Sequence, residues 1–308
     1  MGNKYSTINK DLVFAIERKA LENAQEEFVL DRFTDKKSMP QKSGNQLKFH
    51  RWEHIDETNV HTLVEGQAPD STKLERVSIT GTLARRGIVV NYTDELMEQF
   101  ENAGEYHKQS SQEMGYALGR VLEKDAFIVA LAGAGTVIPH TNIDADLKLV
   151  RKALRTANAP KYTSIKSGST KVGTKPVNSG WYGFASLNDA DLFRDATDFL
   201  SVEDYGYSDN IAPNEIGVIK SLGLRIIESQ HINDGDALFI GDGGIGSLGL
   251  GGKNRLEFIN NELGSGVAVK ADGTVVQDTL KQNGSSAVKC RTGNMVLNPS
   301  YVVRLQTA

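Results

Sequence analysis

Alternation of apolar and polar positions marks two long strands in the first third of the chain. Leu47-Lys48-Phe49-His50-Arg51-Trp52 alternates, and the polar turn residues Glu65-Gly66-Gln67-Ala68-Pro69-Asp70 follow. A second run then sets Val77, Ile79 and Leu83 on one face against Ser78, Thr80 and Thr82 on the other. Arg85-Arg86-Gly87 leads on into Ile88-Val89-Val90-Asn91-Tyr92. A lone two-stranded ribbon is marginal in water, and this one is too polar to carry a core of its own. It needs a surface to lie on, and another copy of the chain is the natural one. Such an arm suits a protein that assembles better than one that catalyses.

The pattern changes to a helical period elsewhere. Asn9 can cap a helix with Leu12, Ile16, Ala20 and Leu21 in a stripe, and Lys36 to Gly44 reads as a linker. Asp94 starts a short helix reaching about Asn102, which Gly104 ends. A long helix is expected from about Tyr106 to Leu131, with Met114, Leu118, Val121, Leu122, Phe127 and Ile128 inward. Gly115 and Gly119, four apart, each cost about 1 kcal/mol relative to Ala, which points to close packing there. Thr141-x-x-Asp144 has the form of a capping box for a helix burying Ile143, Leu147, Val150 and Leu154. The stretch from Lys161 to Gly180 reads as a mobile loop. Trp181 to Ala185 reads as a buried strand, and Ser186-x-x-Asp189 precedes a helix carrying Ala190, Phe193 and Ala196. From about Gly217 onward strands and turns dominate. There is no fixed-period repeat and no βαβ alternation, so the fold class is α+β.

Composition adds limits. With 39% hydrophobic and 24% charged residues, the 308-residue chain can bury a sizeable core and is not globally disordered. Cys290 is the only cysteine, so an intrachain disulfide is impossible. There is no 18-residue apolar run to span a membrane and no apolar signal segment at the N-terminus, which reads as a chain made in a reducing cytoplasm. Net charge is only −4, yet it is uneven. Lys148, Arg151, Lys152, Arg155, Lys161, Lys166, Lys171 and Lys175 fall in one stretch without an acid. Residues 201–280 hold twelve acids and five bases, a net of −7. The basic stretch could face a polyanion or be a solvated helix face.

Candidate chemistry is thin. Gly241-Asp242-Gly243-Gly244-Ile245-Gly246 matches G-x-G-x-x-G after a strand, but a dinucleotide site needs a helix to open next. Here Ser247-Leu248-Gly249-Leu250-Gly251-Gly252 follows, so a flexible surface loop is expected. His50 and His54 on one strand would lie about 13 Å apart, too far for one metal ion. No catalytic, cofactor or metal residues are assigned.

The order of several strings resembles the major capsid proteins of N-four-like tailed bacteriophages, within the wider capsid fold named after phage Hong Kong 97. Besides Leu47 to Trp52, these strings are Leu63 to Asp70, Thr80 to Gly87 running to Asp94, and Ala153-Leu154-Arg155-Thr156-Ala157-Asn158-Ala159-Pro160. Asn214 to Ile219 and Met295 to Arg304 complete the set. The resemblance implies an N-terminal arm over 1–45 and an extended β-hairpin, the E-loop, over 46–92. It implies a peripheral domain over 93–210 with a spine helix at 105–131 and part of the axial domain interleaved. Residues 211–308 would be mainly axial domain with C-terminal strands.

It further implies hexamers and pentamers of one chain forming an icosahedral shell around double-stranded DNA, with a portal protein, a scaffolding protein and decoration proteins as partners and no membrane. Trp52 is the expected anchor on a neighbour, and Arg85 and Arg86 the expected inter-subunit ion pairs. Lys148, Arg151, Lys152, Arg155, Lys161 and Lys166 would face DNA or the scaffold, touching DNA only through phosphates. The competing readings are an encapsulin-type nanocompartment and a nucleotide-binding enzyme using the loop at 241–252.

Overall fold

A computed structural model describes residues 27–39, 46–63, 65, 66, 68, 70–99, 103–166, 174–204, 210–250, 256–261, 267–269, 275–277 and 282–307. The described chain opens with a 3-10 turn, Leu30–Phe33, and strand β1, Asp35–Met39. Strands β2 (Gln46–Trp52), β3 (Arg76–Thr82) and β4 (Ala84–Thr93) precede helices α1 (Asp94–Gln99) and α2 (Ala103–Ala132). Next come β5 (Thr136–Pro139), α3 (Ile143–Thr156), β6 (Tyr162–Lys166), β7 (Thr174–Ala185), α4 (Ala190–Arg194) and β8 (Phe199–Ser201). The remainder is β9 (Glu215–Ile219), β10 (Leu224–Glu228), β11 (Asp236–Ile240), β12 (Ile245–Leu250), β13 (Leu256–Asn261), β14 (Val267–Val269), β15 (Val275–Gln277), β16 (Asn283–Val296) and β17 (Val302–Gln306). This is the α+β composition that the sequence pattern predicts.

Two large sheets share one helix. The eight-stranded sheet runs β5-β17-β11-β7-β10-β9-β8, with β6 paired to β7. Period-2 alternation along β7 serves both of its faces. Tyr182 and Phe184 join Leu30, Phe33, Phe127 and Leu238 on one side. Trp181 and Ala185 join Leu147, Leu154, Phe193 and Phe239 on the other, under α3 and α4. Gly183 faces that second side, where a Cβ would meet the Phe239 ring at 2.4 Å. The five-stranded sheet runs β1-β12-β16-β13, with β4 along β16. Met114, Leu118 and Leu122 of α2 pack on its Val288, Cys290 and Phe258. At 1.5 Å per residue the 30-residue α2 spans about 45 Å, enough to reach both cores.

Several expectations are corrected. Val121 and Ile128 are half-exposed: seven residues apart, they lie on one line of α2 outside its buried face. The short helix is described to Gln99, and α2 begins at Ala103, three residues earlier than expected, with Gly104 in its first turn. Asn142, not Thr141, caps α3, its side chain accepting from the backbone N–H of Asp144 and Ala145. Thr141 instead donates to Asp146 through both its N–H and its hydroxyl. Part of the supposed linker is β1, whose backbone pairs in parallel with β12. The supposed loop at 161–180 contains β6 and β7, paired antiparallel.

The glycine-rich stretch is a tight turn followed by β12, whose Ile245, Ser247 and Leu248 are buried. Its amides enter a sheet ladder with β16 and are not arrayed around an open phosphate site. The ribbon pairing ends at Gln46↔Thr82, and β4 leaves it to pair with β16. The boundary expected at 210 falls within the eight-stranded sheet, while β16 and β12 belong with β4 and α2. The helix expected near Asn9 to Leu21 lies outside the described residues. No described helix is long and apolar enough to cross a membrane.

Candidate assembly interface

The β2–β3 ribbon is rooted firmly and exposed beyond its root. Its inward residues Phe49 and Ile79, with Leu83, pack on Leu248, Met295 and Leu297. Gly81 and Gly293 make that approach possible: a Cβ on Gly293 would lie 2.2 Å from the Thr82 carbonyl oxygen, and one on Gly81 would overlap the Met295 methyl. Lys37 donates to the Lys48 carbonyl at 3.0 Å, and its ammonium lies over the Phe49 ring. His54 Nε2 and the Tyr301 hydroxyl share a hydrogen bond of 3.0 Å. Between ribbon and body lies a cleft of about 570 Å³, lined by His50, Trp52, Glu53, Ile79 and Tyr301 among others.

Past this root the ribbon is bare. Trp52 is 59% exposed, Val60 80% and Leu63 74%, and Ile55 and Leu74 are also about half-exposed. Trp52 stands opposite Arg76 in register, the guanidinium 5.9 Å from the indole. His50 Nδ1 and Ser78 Oγ, likewise opposite each other, share a 2.9 Å hydrogen bond. Desolvation first, and then Arg76, Lys37 and Lys48, hold the His50 imidazole below its usual range. Water exposure of five large apolar side chains on one arm is costly unless a partner covers them.

Arg85 and Arg86 turn to opposite faces of β4. Adjacent strand residues point to opposite faces, and only Arg86 turns toward α2, donating to Asp125 at 2.6 Å within the same chain. Arg85 lies on the other face of β4, exposed. Of the expected basic residues, Lys148, Arg151, Lys152 and Arg155 share one side of α3 around a depression of about 290 Å³. Lys161 lies nearby, over the Trp181 ring. Lys166 ends β6, and its side chain lies outside the described part. Among the described residues no three metal-binding side chains cluster.

A buried carboxylate that pattern reading missed holds the arm's base. Glu123 of α2 accepts the backbone N–H of Val29 at 3.0 Å and that of Leu30. Burial first, and then the Asp31 charge, push its carboxyl up to about 8, against the opposing pull of those N–H groups. A polar residue inside an apolar stripe was its only sequence signal. Glu27, just before, is gripped by Arg120 at 3.1 Å and His231 at 3.2 Å.

The family model described as "Phage capsid protein" matches residues 76–305. No curated protein matches the chain. The head of Helicobacter pylori bacteriophage KHP40 has a similar structure, with TM-score 0.61 at 12% identity, covering 90% of this chain and 88% of that one. The mature capsid of bacteriophage PhiM1 matches with TM-score 0.60 at 10% identity, covering 90% and 86%. The virus-like particle from Pyrococcus furiosus matches with TM-score 0.55 at 11% identity, covering 96% and 99%. At these identities the structural likenesses establish the fold, the Hong Kong 97 type. The narrower N-four-like grouping rests on the sequence strings alone.

Proposed function

Because the chain belongs to the phage capsid protein family, we propose that it closes into hexamers and pentamers through its β2–β3 ribbon, which lies over a neighbouring copy. The protein is a capsid subunit, a structural component of the virion shell. The observation that carries the assembly reading is the contrast along the ribbon. Its root is packed so closely that glycine is required, while Trp52, Ile55, Val60, Leu63 and Leu74 stay half-exposed or more among the described residues. Interlocking interfaces of obligate assemblies bury on the order of 2,000 Å² or more, and head-to-tail contacts around a ring give closed capsomers. Double-stranded DNA is the enclosed genome, and a portal protein, a scaffolding protein and decoration proteins are the further partners. Assembly takes place in the host cytoplasm.

The test is electron microscopy of the chain expressed alone, after size-exclusion chromatography, and again with phage assembly factors. Shells or capsomer rings in either preparation support the proposal, and a persistent monomer in both defeats it. Nucleic acid inside the shells separates a genome container from an encapsulin-type compartment, in which protein cargo would be found instead.

A further inference from the structure

The molecule has two unlike exposed surfaces. The ribbon offers aromatic and aliphatic anchors, the chemistry of protein hot spots. The outward side of α3 offers almost only charge. Lys148, Arg151, Lys152 and Arg155 recur at i, i+3, i+4 and i+7, so they line one face over about 10 Å. The turn between β9 and β10 extends this face. Arg151 donates to the Ser221 carbonyl at 3.1 Å, which fixes the turn against the helix. Lys220 is exposed on that turn, and a Cβ on Gly223 would lie 3.1 Å from Lys161 Nζ.

Among the described residues none of these six bases forms an ion pair. Asp144, one turn before Lys148, accepts from the N–H and hydroxyl of Thr197 at 2.9 and 2.6 Å, and the Lys148 charge acts on it more weakly, without an ion-pair contact. Leu222, at the base of the depression, is 8% exposed and offers little to an apolar anchor. The half-exposed Leu149 lies about 60° further round the helix than Lys152.

We propose that this cationic face of α3 and the β9–β10 turn binds the phosphate backbone of double-stranded nucleic acid, without regard to base sequence. The proposal rests on the capsid reading and goes beyond it, because it assigns α3 to the side of the shell that meets the genome. A duplex carries one charge per about 1.7 Å of axis, or about six over the length of this face. A row of cations at this spacing matches that dense, uniform charge. A protein partner would need an apolar anchor, and the depression of about 290 Å³ among these bases offers it only the nearly buried Leu222.

The test is fluorescence anisotropy of a duplex of about 20 base pairs titrated with the full chain at several KCl concentrations, beside electron microscopy of the same preparations. Each phosphate contact contributes about 0.9 to the logarithmic salt slope, so Lys148→Gln with Lys152→Gln should lower the slope by about 2. Arg155→Gln alone should lower it by about 1. The same charge change on α2, Lys108→Gln with Lys124→Gln, should leave it unchanged. Equal slopes in the wild type and the α3 variants overturn the proposal. So does a wild type that binds poly-glutamate but not duplex, since the partner would then be an acidic protein. Microscopy keeps the two readings apart: intact shells with an unchanged slope sink only this inference, whereas a wild type that stays monomeric both alone and with phage assembly factors sinks the assembly reading.

Discussion

Glu123, fully buried about two thirds of the way along α2, accepts the backbone N–H of Val29 at 3.0 Å, joining the arm's base to the helix through ninety-four residues of sequence separation. The same carboxyl is pushed up to about 8 by burial and by Asp31. The sign follows from proton counting. Between about 4.5 and about 8 the folded state holds the proton that the unfolded state has released, so stability is greatest below that window and is lost as pH rises through it. Urea denaturation from pH 5 to 9 should show a fall on the order of a few kcal/mol. Glu123→Gln should flatten it while keeping an acceptor for Val29.

Trp52→Ala should leave the isolated subunit's stability within about 0.5 kcal/mol, because the side chain is 59% exposed. Assembly should nonetheless drop sharply. Thermal melts of the subunit, set beside particle counts by electron microscopy, check both halves; normal yields of shells would remove Trp52 from the interface.

Arg86 already pairs with Asp125 of its own chain, both side chains being substantially exposed. Arg86→Ala should therefore cost under about 1 kcal/mol. An assembly defect in the Arg85→Ala, Arg86→Ala double variant should be reproduced by Arg85→Ala alone, as sedimentation of assembly reactions would reveal.

Gly293→Ala should destabilise by about 1–3 kcal/mol, since the added Cβ meets the Thr82 carbonyl oxygen at 2.2 Å and the backbone must shift. Denaturant midpoints measure the loss, and limited proteolysis should find the ribbon loosened from β16.

Glu215 is fully buried against Arg225, itself only 12% exposed. Glu215→Ala should cost about 3–5 kcal/mol by leaving the guanidinium without its charge partner, and Arg225→Met added to it should recover much of that loss. A double-mutant cycle by urea unfolding gives the coupling.

Legibility in the sequence followed the range of the interactions. The ribbon's two faces, the long helix and the buried strand around Tyr182 could all be read, because each is set by the local period of apolar residues. The same reading put Val121 and Ile128 in the core, because periodicity cannot tell which flank of a helix a sheet will cover. Lys36 to Met39 and the residues following Gly244 looked irregular, since their own preferences are weak and their hydrogen bonds come from partners far along the chain. Glu123 carried only the signal of a polar residue in an apolar stripe: its importance comes from the amides of Val29 and Leu30, which only folding brings to it.

By itself, then, the amino-acid sequence determined the element types, the α+β class, the polar ribbon that cannot stand alone and the cationic row on α3, all of them consequences of side-chain order at short range. Tertiary structure alone decided that β4 leaves the ribbon for β16, that the glycine-rich stretch becomes a buried strand, that Arg86 is spent within its own chain while Arg85 is not, and that one helix serves two sheets. These depend on which distant backbone satisfies which, and local order carries no record of that pairing.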